Sequence, residues 1–211
     1  MREGAGTGGR AAKVPTPAGR VVLRFKETAR RFLEALERRR AEALRRRPGP
    51  LVDAFGRARS VLILCQGNVI RSVFAAQLLS TAVKDRTRVS IASAGLTTQP
   101  GWRAHPRVVA RCLALRIDLG GHASVAATES MVRAADVVLV MDVSQLATVT
   151  RRFFGARRKT FLLTSLAPDL PMEIPDPSGK DDATVDACLD QVARAVKPMM
   201  ELLSRRDGAA A

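Results

Sequence analysis

The chain has 211 residues, 46% of them hydrophobic, with 35 Lys+Arg against 20 Asp+Glu for a formal charge of +15. That length suits one domain with a sizeable core and an appendage, and the hydrophobic content excludes a wholly disordered chain. No apolar run approaches the ~20 residues that a bilayer-spanning helix needs, and Met1–Val14 lacks the hydrophobic stretch of a secretory leader. Three cysteines, at 65, 112 and 188, are too few and too scattered for a disulfide scaffold or a zinc cluster. The expectation is a soluble, cytoplasmic protein.

The excess charge is concentrated near the N-terminus. Residues 1–60 hold 16 basic and 6 acidic side chains, two thirds of the net charge. Residues 1–20, rich in Gly, Ala, Pro and Arg, offer little to bury and read as a disordered basic tail. Residues 21–58 read as a basic amphipathic helix and a linker. From Val22 to Arg47, residues Phe25, Ala29, Phe32, Leu33, Leu36 and Leu44 fall roughly at helical spacing, with arginine on the other faces. Pro48-Gly49-Pro50 then stops the helix. Two readings of it stand. It packs its apolar stripe on the neighbouring domain or another subunit, or residues 1–50 meet an anionic surface or an acidic partner. Aromatic residues are few, so stacking on nucleic acid is poorly supported.

Residues 59–205 alternate strands with helices. Val61–Leu64 is a short apolar run suited to a buried parallel strand, followed by a helix from Ser72 to Lys84. Arg88–Ala94 reads as a second strand ending at Gly95, and Pro106–Arg116 and Ser130–Ala135 as helices. Asp136–Met141 is the clearest strand. Asp142 and Gln145 form a capping box for a helix running to Phe154. Lys159–Leu163 is a fourth strand, Asp182–Ser204 a closing amphipathic helix, and 206–211 a flexible C-terminus. The pattern predicts an α/β fold: an open, mostly four-stranded parallel sheet with helices on both faces, preceded by the basic helical extension. Such sheets bind ligands outside the carboxyl ends of their strands.

The loop leaving the first strand reads Cys65-Gln66-Gly67-Asn68-Val69-Ile70-Arg71-Ser72. A cysteine at a helix N-terminus faces free backbone N–H groups and the positive end of the dipole, which favour its thiolate. The same N–H groups cradle an anion, Gly67 allows tight curvature, and Arg71 offers a fork for two phosphate oxygens. Those parts fit attack on phosphorus. The bland alternative is a small apolar filler ending a buried strand, with an arginine six residues on by chance.

An apolar strand followed by Cys-x-Gly-Asn-x-x-Arg-Ser, matched by Val61 to Ser72, resembles the signature of the low-molecular-weight protein tyrosine phosphatases. Further along, Ser93-Ala94-Gly95, the turn Ile117 to His122, Val138 to Asp142 and Ile174-Pro175-Asp176-Pro177 resemble that family's later segments, in its order. The resemblance covers about 61–204 and leaves the first 58 residues outside. It implies a metal-independent and cofactor-free phosphatase in which Cys65 attacks phosphorus and forms a phosphocysteine. It implies that the backbone N–H groups of Gln66, Gly67, Asn68, Val69, Ile70 and Arg71, with the Arg71 side chain, hold the phosphate. Ser72 then hydrogen-bonds the sulfur, Asn68 held by Ser93 supports the loop, and Asp176 acts as general acid and later base. The implied substrate is phosphotyrosine in a protein, such as a bacterial tyrosine kinase.

The chain departs from the family at several positions. Ile70 stands where many relatives carry a second cysteine, so a protective disulfide within the loop is impossible. Val73 replaces the usual proline, and Ser178-Gly179 follow Asp176-Pro177 where aromatics often wall the pocket, with Trp102 near the other wall. An arsenate reductase on this scaffold needs relay cysteines, and Cys112 and Cys188 do not match that pattern. A protein-arginine phosphatase usually has threonine where Val69 stands. A weakly active or inactive module that binds phosphorylated or anionic partners is the alternative of a different class. Cys112 and Cys188 read as buried filler, His105 and His122 as loop or core residues, and the arginines at 151–152 and 157–158 as a solvated face. The oligomeric state is left open.

Overall fold

The structure is a computed structural model and describes residues 17–83, 89–119 and 121–208. Expectations for residues 1–16, Lys84, Arg88 and 209–211 lie outside the described residues. Eleven elements follow in chain order: α1 (Pro17–Arg46), α2 (Gly49–Arg57), β1 (Ser60–Cys65), α3 (Arg71–Val83), β2 (Ser90–Gly95), α4 (Pro106–Ala114), α5 (Glu129–Ala134), β3 (Val137–Val140), α6 (Val143–Arg152), β4 (Thr160–Leu162) and α7 (Asp182–Gly208). Short 3₁₀ segments at Ala156–Lys159 and Leu163–Leu166 flank β4.

The sheet is four-stranded in the order β2-β1-β3-β4 and parallel throughout. Central strands are continuously apolar because both faces are covered. Val61, Ile63 and Cys65 of β1 face the layer of α2, α3, α4 and α7, whereas Leu62 and Leu64 face α5, α6 and Ala41 of α1. The alternation is the two-residue period of a strand, seen in three dimensions. It brings Cys65, opposite Gly95 of β2, to the carboxyl edge of the sheet.

Helix boundaries shift in instructive ways. The expected disordered tail includes residues 17–20, yet the backbone is helical from Pro17, and α7 continues to Gly208 through the expected flexible C-terminus. Pro48-Gly49-Pro50 does not lead into a linker. Proline is compatible with a first helical turn, and the segment starts α2 instead. Leu51 and Phe55, one turn apart on α2, are fully buried in the core, so the packed unit begins before residue 59. Burial of two such side chains contributes about 1.5–3 kcal/mol each.

Only part of the expected apolar stripe of α1 docks: Leu33 and Leu44 are half-buried, and Leu44 packs on the core. Phe32 is 63% exposed, and Ala29 and Leu36 also face solvent. The docked face centres on buried Ala41 and on Glu37, which is only 3% exposed. Glu37 is matched there by Arg40 at 3.1 Å and by Arg157 at 2.7 Å. A buried carboxylate without such partners is strongly unfavourable, so α1 is seated by charge pairing as much as by hydrophobicity. Arg157 is 56% exposed, so the expected solvated face holds, and it reaches Glu37 from that face. Arg152, also exposed, donates to the Leu96 carbonyl at 2.8 Å. Among the described residues no helix is long and apolar enough to cross a membrane.

Candidate active site

Five residues join the end of β1 to the start of α3, and their carbonyls are held from outside. Leu96 N–H donates to the Cys65 carbonyl (2.9 Å), Thr97 N–H to that of Gln66 (3.1 Å) and His105 N–H to that of Val69 (2.9 Å). His122 Nε2 donates to the Asn68 carbonyl at 2.9 Å. With its carbonyls engaged outward, the loop turns N–H groups inward, and Asn68 N–H donates to Cys65 Sγ at 3.2 Å. This is an anion nest built around a sulfur.

Asn68 is the keystone, and it corrects the role expected for Gly67. Gly67 needs no unusual backbone angle, and a Cβ there would meet only Val69 Cγ2, at 3.6 Å. The left-handed residue is Asn68, at φ +53°. Its fully buried carboxamide donates to Ser72 Oγ (3.1 Å) and Ser93 Oγ (2.9 Å) and accepts from Val125 N–H (2.9 Å). Because Ser72 Oγ accepts from Asn68, its own proton is free to point at Cys65 Sγ, 3.0 Å away. Gly95 allows β2 to pass this close, since a Cβ there would lie 2.6 Å from Thr98 Cγ2 and 3.0 Å from the Gln66 carbonyl oxygen. Asn68→Ala is expected to cost about 2–4 kcal/mol in urea unfolding, through lost buried hydrogen bonds and strain at positive φ. Asn68→Gly, which relieves only the strain, is expected to recover about 1 kcal/mol of that.

Arg71 opens α3 at 2% exposure. Its guanidinium donates to the Ile174 carbonyl at 3.0 Å, forms a close ion pair with Asp176, and lies 3.5 Å from Asp142 Oδ2. Asp176 is partly exposed, and its other oxygen accepts from Ser178 N–H (3.1 Å) and Oγ (2.7 Å). Above the loop lies a cleft of about 480 Å³ lined by Gln66, Gly67, Val69, Thr97, Thr98, Gln99, Trp102, Asp176 and Ser178. The structure thus gathers Cys65, Asn68, Arg71, Ser72, Ser93 and Asp176 from three parts of the chain. Ile70 is buried, while Gln66 and Val69 edge the cleft.

Two contributors were not assigned from the sequence. His122, expected to be a loop or core residue, braces the cysteine loop, and only its place in a Gly-His turn hinted at a special position. Asp142 caps α6 as expected, through Gln145 N–H at 2.8 Å, but also faces Arg71. Burial pushes its carboxyl above the usual carboxylate range, with like charge from Glu173 and Asp176 adding to the rise, against Gln145 N–H and Arg71. The folded chain therefore holds that proton more readily than the unfolded one. The associated stability is complete in acid, below the unfolded value, and is lost as pH rises through the raised folded value. Asp142→Asn, which keeps a capping side chain, is expected to match wild type near pH 4 and to gain on it toward neutrality. Melting temperatures across that range check this, and a constant difference would show that the carboxyl does not titrate with folding.

Cys112 and Cys188 are buried in α4 and α7, and burial pushes both thiols up to about 11. Neither is poised for thiolate chemistry at neutral pH.

The family model for low molecular weight phosphotyrosine protein phosphatase matches residues 60–208. The chain is 30% identical over 138 residues to EpsP of Ralstonia nicotianae, a probable low-molecular-weight protein-tyrosine-phosphatase, covering 65% of this chain and 91% of that one. It is 26% identical to a protein-arginine-phosphatase of Bacillus subtilis, covering 69% and 97%. Among solved structures, the Erwinia amylovora tyrosine phosphatase AmsI superposes with a TM-score of 0.64 at 29% identity, covering 70% and 95%. With its cysteine loop, parallel sheet and chain order all matched, the chain belongs to the low-molecular-weight protein-tyrosine-phosphatase family.

Proposed function

We propose that the chain hydrolyses phosphotyrosine in proteins through a phosphocysteine on Cys65. The observation that carries this reading is the convergence on Cys65 Sγ of an inward N–H and the Ser72 hydroxyl, in one loop with the buried Arg71 guanidinium that pairs with Asp176. A phosphoryl group entering the nest competes with Asp176 for Arg71, so binding itself frees the carboxyl to face the leaving oxygen. Sγ then attacks phosphorus as the P–O bond breaks, and Asp176 gives its proton to the tyrosine oxygen. In the second step Asp176 takes a proton from water, the water oxygen attacks phosphorus, and the P–S bond breaks to release inorganic phosphate. Ser72 stabilises the sulfur at both stages, and the loop N–H groups with Arg71 hold the equatorial oxygens.

Val69 and Trp102, both lining the cleft, provide the apolar walls for a phenyl ring. Ser178, in place of an aromatic beside Asp176, favours a second reading, phosphoarginine. Three free cysteines fit a reducing cytoplasm. The exposed Arg24, Lys26, Arg39 and Arg46 of α1, with Arg47 just after it, favour an acidic protein partner. The deciding experiment is hydrolysis of p-nitrophenyl phosphate, a phosphotyrosine peptide and a phosphoarginine peptide by wild type and Asp176→Asn. Turnover of the two aryl esters, falling about 10²-fold or more in Asp176→Asn, supports the reading. Preference for phosphoarginine would replace it, and a folded wild type that binds phosphate without turnover would make the chain a binding module.

A further inference from the structure

The helix that precedes the family-matched region reaches the loop carrying Asp176. That loop runs from the 3₁₀ segment Leu163–Leu166 to the start of α7. Arg45 of α1 is half-buried and donates to three of its carbonyls at once: Thr164 at 2.8 Å, Pro168 at 3.0 Å and Leu170 at 2.7 Å. About two turns earlier, Arg38 pairs at 3.1 Å with Glu173, three residues before Asp176. Glu173 is held from the other side by Val143 N–H, at 2.9 Å, at the start of α6. Asp142, beside Val143, faces Arg71. Contacts from α1 thus reach Glu173, three residues before Asp176, and through Val143 the residue next to Asp142, which faces Arg71.

The rest of the domain holds the loop at other points: the Met172 carbonyl accepts from Thr164 Oγ1, the Pro175 carbonyl from the Cys188 thiol, and Asp169 pairs with Arg194. Ile174 is fixed through the Met141 carbonyl and Arg71, and the Glu173 carbonyl accepts from Gln191. The Pro168 and Leu170 carbonyls have Arg45 as a side-chain partner. A carbonyl left without such a donor draws in water or moves, and the chain carrying it moves as well.

We infer that α1 is a built-in brace of the Asp176 loop, with Arg38 and Arg45 acting as positioning residues for the proton donor. This rests on the role of Asp176 given above. A general acid works only within hydrogen-bond reach of the leaving oxygen, and misplacement of about 1 Å lowers rates by up to about 10²-fold. The signature is selective. Esters of acidic phenols leave without help, whereas esters of weakly acidic phenols need the proton.

The test measures kcat/KM for aryl phosphates from 2,4-dinitrophenyl to phenyl phosphate, in wild type, Asp176→Asn, Arg45→Met, Arg45→Lys, Arg38→Gln and Arg31→Ala. Arg31 lies on the exposed side of α1, paired to Glu27, and controls for general effects on the helix. Expected are a fall of about tenfold for phenyl phosphate in Arg45→Met and several-fold in Arg38→Gln, with about twofold or less for the dinitrophenyl ester. Arg45→Lys recovers part of the loss, and Arg31→Ala follows wild type. Equal losses for every ester, or none, would overturn the brace and leave α1 a purely structural element. Should Arg45→Met fail to fold, Arg38→Gln decides, because Arg38 is 47% exposed and its removal leaves the core untouched. A flat leaving-group dependence in Asp176→Asn would instead overturn Asp176 as the acid, whatever the arginine variants do.

Discussion

Cys65→Ser is expected to lose turnover by at least about 10⁴-fold while keeping both the fold and the affinity for inorganic phosphate. The sulfur sits at 2% exposure, between Ser72 Oγ and Asn68 N–H, and a serine oxygen can accept from both. The nest is made by backbone and by Asn68, so removing the sulfur does not dismantle it. What disappears is the nucleophile, because an alkoxide is far harder to form at neutral pH than a thiolate. Isothermal titration with phosphate, beside p-nitrophenyl phosphate assays, separates the two effects. Residual turnover within about 10²-fold of wild type would mean that another group attacks phosphorus.

Arg71→Lys is the second large effect, with kcat/KM expected to fall by about 10²–10⁴-fold. Arg71 serves two purposes through one planar fork. It holds the Ile174 carbonyl while pairing with Asp176, and it stands ready to take two phosphate oxygens. A lysine ammonium keeps the charge between Asp142 and Asp176 but cannot reach both sides of that arrangement. Melting temperature is therefore expected to change little beside the loss in rate. Competitive inhibition by inorganic phosphate is expected to weaken by about tenfold or more. Unchanged inhibition would place phosphate binding in the backbone nest alone.

The cysteine loop was legible in the sequence because it is local. Cys65, Asn68, Arg71 and Ser72 lie within one strand-to-helix turn, where eight residues determine most of the geometry. The sheet was legible for a related reason: the continuous apolar runs of β1 and β3 follow from burial on both faces. Boundaries proved less legible. Pro48-Gly49-Pro50 suits a helix end and a helix start equally well. Only burial of Leu51 and Phe55 against α7 decides between them.

The docking of α1 shows where sequence reasoning stops. Its apolar periodicity pointed to Phe32, Leu33, Leu36 and Leu44, yet Phe32 and Leu36 are exposed, and the seated face carries Glu37 and Ala41 beside Leu33 and Leu44. A carboxylate is a poor core residue in isolation. It becomes acceptable only because Arg157, 120 residues away, arrives beside it. The same holds for His122 with Asn68, for Asp142 with Arg71 and for Arg45 with the carbonyls after β4.

By itself, then, the sequence determined the alternating α/β pattern, the strand-to-helix cysteine loop and the family, since these depend on spacing between near neighbours. Tertiary structure alone decided which face of α1 is buried, which residues brace the loop, and that the basic extension reaches the segment bearing Asp176. Hydrophobic periodicity is written along the chain. A polar contact exists only once two distant segments meet, because a donor and an acceptor carry no record in sequence of which partner will take them out of water.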